Sequence, residues 1–224
     1  MRAASKHRRF VWAGTLVCLV MAGAVSAIAL GDTGNTGTSG TTGNYVQVQV
    51  VPAETAAAFP LLEKQADAEE TQQLPLVANA ILALERSPGG AGGANPTLAR
   101  AYYQTGANAG YLVPGTGDNL CTVQIYNGQL SQAGCGSASA ISTKGILSTT
   151  VVPGGYEVSG LLPRGTKAVN LTGADGHTTS VEVNADGGFD LVGTGTLTRI
   201  AYKLPSGGEE VDSTRFPPPP PSEH

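Results

Sequence analysis

Histidine, cysteine and aromatic residues are scarce in this sequence, and their scarcity excludes much of enzyme chemistry. The 224 residues include three histidines, three cysteines and one tryptophan, and 5% are aromatic. His7 and His224 lie near the two ends of the chain, so a Ser–His–acid hydrolase would have to combine His177 with Ser180 or another serine and with an acid such as Asp175 or Asp190. His177 follows a turn, where a solvated side chain is the default, and no GxSxG motif is present. We predict no catalytic residue.

Ligands for metals and cofactors are few as well. Zinc sites take three or four Cys, His or carboxylate ligands, which this chain cannot readily supply. Asp175, Asp186 and Asp190 lie in Gly-rich turns and are candidates for calcium, although Asp-Gly is also ordinary turn chemistry. No phosphate-binding or dinucleotide-binding glycine motif occurs. We predict neither a metal site nor a cofactor.

Two glutamates are candidates for glycoside hydrolysis, which uses a pair of carboxylates. Glu157 and Glu182 each occupy a polar position in an alternating strand pattern. We therefore expect both to be solvated charges on outward faces. The only tryptophan, Trp12, precedes the folded region, which leaves that region without a tryptophan platform for sugars.

The first 44 residues have the order of an export signal. The first nine residues carry no acid and four basic side chains, namely Arg2, Lys6, Arg8 and Arg9. Phe10–Leu30 then runs for 21 uncharged residues, which is long enough to span a bilayer as a helix. Residues 31–44 form a Gly/Thr-rich stretch that we expect to be a flexible stalk.

This order predicts a single-pass signal-anchor, with residues 1–30 as cytoplasmic flank and transmembrane helix and the C-terminal domain outside. The alternative is a cleaved signal peptide and a secreted product. Val25–Ala27 and Ala27–Ala29 both satisfy the small-residue rule for cleavage. Cys18 lies inside the apolar run, where we expect a small apolar side chain rather than a lipid attachment site.

Charge and cysteine content agree with export. Beyond residue 30 the chain keeps nine Lys/Arg against seventeen Asp/Glu, a formal charge of −8. An acidic domain is a poor partner for nucleic acid, and we predict none. Cys121 and Cys135 are the two cysteines of this region, and an even count in an oxidising compartment predicts a disulfide.

The folded part is expected to belong to the α+β class, with short helices packed on a small antiparallel β-sheet or sandwich. Residues 45–108 predict a strand plus a helical subdomain, and 109–206 predict a disulfide-stapled antiparallel β subdomain. Residues 207–224 predict a disordered Pro-rich tail.

Within residues 45–108, an alternating pattern predicts a strand at Tyr45–Val51. Pro75 suits the first turn of a helix that continues past Leu82, and Asn95-Pro96 suits the start of a third helix that includes Tyr102.

In the β subdomain, Asn127-Gly128 predicts a two-residue hairpin with Tyr126 opposite Gln129. That register leaves Cys135 one residue out from Cys121, so we expect a β-bulge near Ala133-Gly134.

Three stretches, FPLLEKQADAEETQQLP, YLVPGTGDNLCTV and GLLPRGTKAVNLTGADGHTTSVEVN, carry a resemblance. Over about Phe59–Leu204 the chain resembles a loose group of exported proteins of high-GC Gram-positive bacteria whose function is not established. Members often have an aspartate where Arg164 stands here. The resemblance implies a shared fold and export, and it transfers no catalytic residue.

From these observations we expect an extracytoplasmic, membrane-anchored protein that is a non-enzymatic interaction or structural module of the cell envelope. Its partners would be the membrane, through Phe10–Leu30, and an envelope protein or the cell wall. The alternatives are a small exported hydrolase and a secreted ligand-binding or inhibitory domain.

Overall fold

Antiparallel strands dominate the computed structural model, which describes residues 47–212. The predicted signal-anchor, the predicted stalk and the Pro-rich run after residue 212 lie outside the described residues. The described part is mixed α+β, as predicted, with few helices. The α-helices are α1 (Ala53–Ala58), α2 (Ala68–Glu85) and α3 (Ala138–Lys144), and short 3-10 helices span Pro60–Glu63 and Pro96–Leu98. The strands are β1 (Arg100–Thr105), β2 (Asn108–Pro114), β3 (Asn119–Tyr126), β4 (Gln129–Ser137), β5 (Ile146–Val152), β6 (Gly155–Leu161), β7 (Ala168–Gly173), β8 (Thr178–Glu182), β9 (Gly188–Thr194), β10 (Leu197–Lys203) and β11 (Glu209–Asp212).

The longest helix, α2, starts at a capping box. The Asp67 carboxylate accepts hydrogen bonds from the backbone N–H groups of Glu69 and Glu70, and the Glu70 carboxylate accepts from the Asp67 N–H. These bonds satisfy donors that a helix start otherwise leaves free. Pro75 therefore lies inside the helix, and our placement of Pro75 in a first turn is wrong.

Two further local predictions between residues 45 and 108 are wrong. Residues 47–51 form no strand. Asn95 does cap a helix start, since its side chain accepts a hydrogen bond from Thr97 N–H, but that helix is the short 3-10 turn ending at Leu98. Arg100–Thr105 is then β1 rather than part of a third helix, because its aromatic residues and threonine favour a strand beside β2. The β1–β2 hairpin spans residue 108, where we expected a subdomain boundary.

Within residues 47–212 the strands form three antiparallel sheets. Their orders are β1-β2-β3-β4, β5-β6-β9 and β11-β10-β7-β8, named here the first, middle and last sheets. Clusters of buried apolar side chains pack the described helices and sheets against one another. Through these clusters α2 covers one face of the first sheet, and the middle sheet is covered on both faces. Residues 209–212, which fall in the segment expected to be a disordered tail, pair with β10.

The β3–β4 hairpin follows the sequence prediction closely. Asn127 and Gly128 both have positive φ, of 50° and 71°, as a type I′ turn requires, and Tyr126 pairs with Gln129. Cys121 and Cys135 are directly opposite one another and lie at disulfide distance, with sulfurs 2.04 Å apart. The predicted bulge exists, but the extra residue is Ser131, between the pairs made by Leu130 and Gln132.

Candidate functional site

Two carboxylates, Glu157 and Asp190, meet between the first and middle sheets. Ser159 pairs with Asp190 across β6 and β9, and Glu157 lies two residues before Ser159, so these side chains share one face. The opposite face, which carries Val158, packs against the last sheet. Glu157 is only 4% exposed, and Asp190 is half-buried.

Burial and mutual repulsion change the proton affinity of the pair. Burial, with the nearby Asp190 charge and a hydrogen bond to Asp190, raises the pKa of Glu157 from 4.5 to about 7. Burial also raises the pKa of Asp190, while hydrogen bonds from Asn108 and Glu157 act in the opposite direction. Glu157 is therefore the group that holds the proton and donates it in a hydrogen bond to Asp190.

The two tyrosines beside the pair owe their positions to a β-bulge. Ala101 pairs with Tyr111 and Tyr103 pairs with Gly110, so Tyr102 is an extra residue in β1. Tyr102 and Tyr103 are both buried, with ring centroids 5.1 Å apart in an edge-to-face arrangement. Burial raises the pKa of each phenol far above its usual range, so both hydroxyls stay protonated and neutral.

Amide side chains surround the carboxylates and hydroxyls. Asn108 Nδ2 donates to Asp190 Oδ2 over 3.1 Å, and Gln124 Nε2 donates to Tyr102 Oη over 3.4 Å. The buried oxygen Asp190 Oδ1 accepts no hydrogen bond from an N–H or hydroxyl group within residues 47–212, which leaves it available to the Glu157 proton. This polar cluster can hold and release a proton, and it is the strongest candidate for chemistry in the described part of the chain.

We predicted that Glu157 and Glu182 are both solvated charges on outward faces. This prediction is wrong for Glu157, which is buried, and is confirmed for Glu182, which is an exposed residue of β8. Alternation alone places Glu157 on the polar face of β6 but cannot reveal that this face is covered by another sheet. One signal was available. Glu157 is the only charged residue between Gly145 and Leu162, as expected for a strand buried on both faces.

The structure separates the residues that we considered for catalysis by His177 or for calcium. His177 is exposed in the β7–β8 turn, where its backbone N–H donates to Asp175 Oδ1 over 2.9 Å. Asp186 pairs with Lys64, and Asp190 lies with Glu157. From residue 47 to residue 212, no group of three or more His, Cys, Asp or Glu side chains converges as a metal site.

A separate concavity of about 260 Å³ opens where the Pro60–Glu63 turn meets the loops after β6 and β8. Its lining includes Phe59 and Leu161, and Lys64 and Arg164 supply positive charge. Lys64 Nζ lies 2.7 Å from Asp186 Oδ2, which offsets one of these charges.

Comparison of the chain with protein-family models, with curated proteins and with solved structures found no match in any of the three. The helices within residues 47–212 include none that is long and apolar enough to cross a membrane.

Proposed function

We propose that the chain is an extracytoplasmic module of a bacterial cell envelope, tethered by Phe10–Leu30 and acting through contact with another envelope protein or the cell wall. Export is expected from the basic flank and the apolar run, and from the resemblance to exported proteins of high-GC Gram-positive bacteria. The non-enzymatic role and the partner class are part of the same proposal.

The Cys121–Cys135 pair is the observation that carries the proposal. Cys135 lies on exposed β4, where cytosolic reductants would reach it, and disulfides persist mainly in oxidising compartments. The bond connects an outer strand of the first sheet to its neighbour. A disulfide in that position supports a domain that works outside the cytoplasmic membrane.

A contact function also agrees with the surface of the domain. Large apolar side chains are exposed at several described positions, which are Val50, Leu82, Leu130, Val151, Val192 and Val211. Such side chains can contribute contact area to an interface, particularly where an outer strand leaves backbone groups accessible. Leu130 on β4 combines both features.

Site-specific photo-crosslinking in intact cells tests the contact function. A photoreactive residue at Leu130 should give a discrete adduct, and one at the exposed polar position Ser180 on β8 serves as the matched control. The proposal predicts an adduct of one defined mass from β4 that is absent at Ser180. Equal background labelling at both positions would argue against a partner on β4.

The Glu157–Asp190 pair favours a second candidate, the exported hydrolase. A carboxyl with a pKa near neutrality can act as a general acid or base. If the pair is catalytic, Glu157→Gln should abolish hydrolysis of a responsive ester, glycoside or peptide substrate, while Glu182→Gln should leave the rate unchanged. Equal rates for both variants would remove this candidate.

A further inference from the structure

Side-chain contacts, rather than backbone hydrogen bonds between strands, join the first sheet to the middle sheet. This contact between the two sheets, in which β1 faces β9, is named here the β1–β9 seam. On one side of this seam, Asn108 donates to Asp190, and Asn184 Nδ2 donates to the Tyr102 carbonyl over 2.8 Å. On the other side, Ser148 donates to Gln132 and the hydroxyls of Ser131 and Thr150 lie 3.4 Å apart. Contacts of this kind can be lost without breaking either sheet, so the seam is a place where the domain can open.

The contact between the Glu157 and Asp190 carboxyl groups makes this seam sensitive to the loss of their shared proton. When Glu157 carries a proton, it donates to Asp190 and the pair bears one negative charge. When the proton is lost, two negative charges face one another in a poorly solvated space, which is strongly unfavourable. Opening of the seam would let water reach Glu157 and Asp190 and relieve that repulsion.

The groups that face the pair cannot neutralise the second charge. Neighbouring strands contribute neutral side chains, which are Tyr102 and Tyr103 from β1, Asn108 from β2, Gln124 from β3, Ser148 and Thr150 from β5, Ser159 from β6 and Val192 from β9. Within the described residues, no Lys, Arg or His contributes to the electrostatics of Glu157 or Asp190. The nearest titratable neighbours are the two tyrosines, which stay neutral.

We propose that Glu157 and Asp190 form a proton-operated latch, which closes the β1–β9 seam when they share a proton and opens it when that proton is lost. The moving part is the edge of the middle sheet formed by β9, which stays paired with β6, together with the turn before β9. Asp190 connects β9 to Asn108 of β2, and Asn184 connects the turn to β1. Opening would expose the neutral polar interior to solvent from the side where Asp190 is half-buried.

Amide hydrogen exchange on the full chain in detergent micelles tests the latch, at pH 5.5 and pH 8.5 with correction for intrinsic rates. If opening returns the Glu157 pKa from about 7 to 4.5, the opening equilibrium should rise by up to about 30-fold between these values. The increase should be confined to β9 and the facing part of β1. Amides of β10 serve as the internal reference.

Glu157→Gln separates the latch from a general effect of alkali. This variant keeps a hydrogen-bond donor toward Asp190 and cannot ionise, so exchange at β9 should become independent of pH. Glu182→Gln, at an exposed position of β8, should behave like the parent protein. Asp190→Asn provides a second variant that removes the charge pair if Glu157→Gln fails to fold. A parent protein with no pH effect at β9, or variants at Glu157 and Asp190 that keep the full effect, would overturn the latch.

Discussion

Gly110 lies directly beneath the ring of Tyr103, so closely that a Cβ atom on the glycine would fall 2.3 Å from Tyr103 Cε1. The same atom would fall 2.5 Å from Tyr102 Cζ. The bulge in β1 places two aromatic rings over one residue of β2, and only a residue without a side chain leaves room for both. This relationship fixes the aromatic wall of the buried polar cluster.

The first prediction follows from that contact. Gly110→Ala should destabilise the domain by about 1–3 kcal/mol, because the added methyl group must displace a packed ring. Urea unfolding monitored by tyrosine fluorescence would measure the change. Gly134→Ala is a matched control in β4, where the new Cβ meets no atom within 4 Å. Equal stability of the two variants would show that the rings do not require Gly110.

Loss of the disulfide should lower the free energy of unfolding, because the unfolded chain gains conformational freedom when the bond is absent. Cys121 and Cys135 are 14 residues apart, and a loop of about this size gives roughly 3 kcal/mol in the chain-entropy model. The double variant to alanine should therefore unfold at lower urea concentration. Reduction of the parent protein should produce a similar shift. A double variant as stable as the oxidised parent would contradict this account of the bond.

Two side chains of the β8–β9 turn, Asp186 and Asn184, should contribute very different amounts to the free energy of unfolding. The Lys64–Asp186 ion pair is solvent-exposed, so Lys64→Met should cost less than about 1 kcal/mol. The Asn184 side chain makes three hydrogen bonds, one to the Tyr102 carbonyl and two from the N–H groups of Asp186 and Gly188. Asn184→Ala should cost on the order of 2 kcal/mol. Thermal unfolding of the two variants would test the order, and the reverse order would show that the ion pair anchors the turn.

Stability should fall as pH rises toward neutrality. Burial raises the pKa of Glu157 from 4.5 to about 7, so the folded protein binds this proton more tightly than the unfolded chain does. The contribution is fully present below about pH 4.5, declines as pH rises from there through 7 and then levels off, with a total of roughly 3 kcal/mol. Urea unfolding from pH 5 to pH 8.5 would measure it. In Glu157→Gln the decline should disappear, and a decline of unchanged size would assign it to other groups.

The sequence predicted features that depend on neighbouring residues. The type I′ turn follows from Asn127-Gly128 alone, and the cysteine pair follows from an even count and the hairpin that brings both strands together. The need for a bulge was also predictable, because the register could not otherwise align the cysteines. Its position at Ser131 was not, since any residue between Gln129 and Cys135 could absorb the mismatch.

Features that depend on distant residues were missed. Burial of Glu157 results from a strand of the middle sheet having the first sheet against its polar face, and no local pattern contains that information. Tyr102 of β1 fits a helical spacing from Leu98, but pairing with β2 overrides that preference. The sequence therefore shows the residues of the candidate site one by one, and only the fold shows that they come together.

The thiol state of the full chain in the cells that produce it tests the central claim most directly. Cells carrying a Cys18→Ala variant would be quenched in acid, and the protein would be alkylated with a maleimide of high mass before and after reduction. An exported domain predicts no modification before reduction and two additions after it, at Cys121 and Cys135. Two additions before reduction would show free thiols and contradict export of the domain into an oxidising compartment.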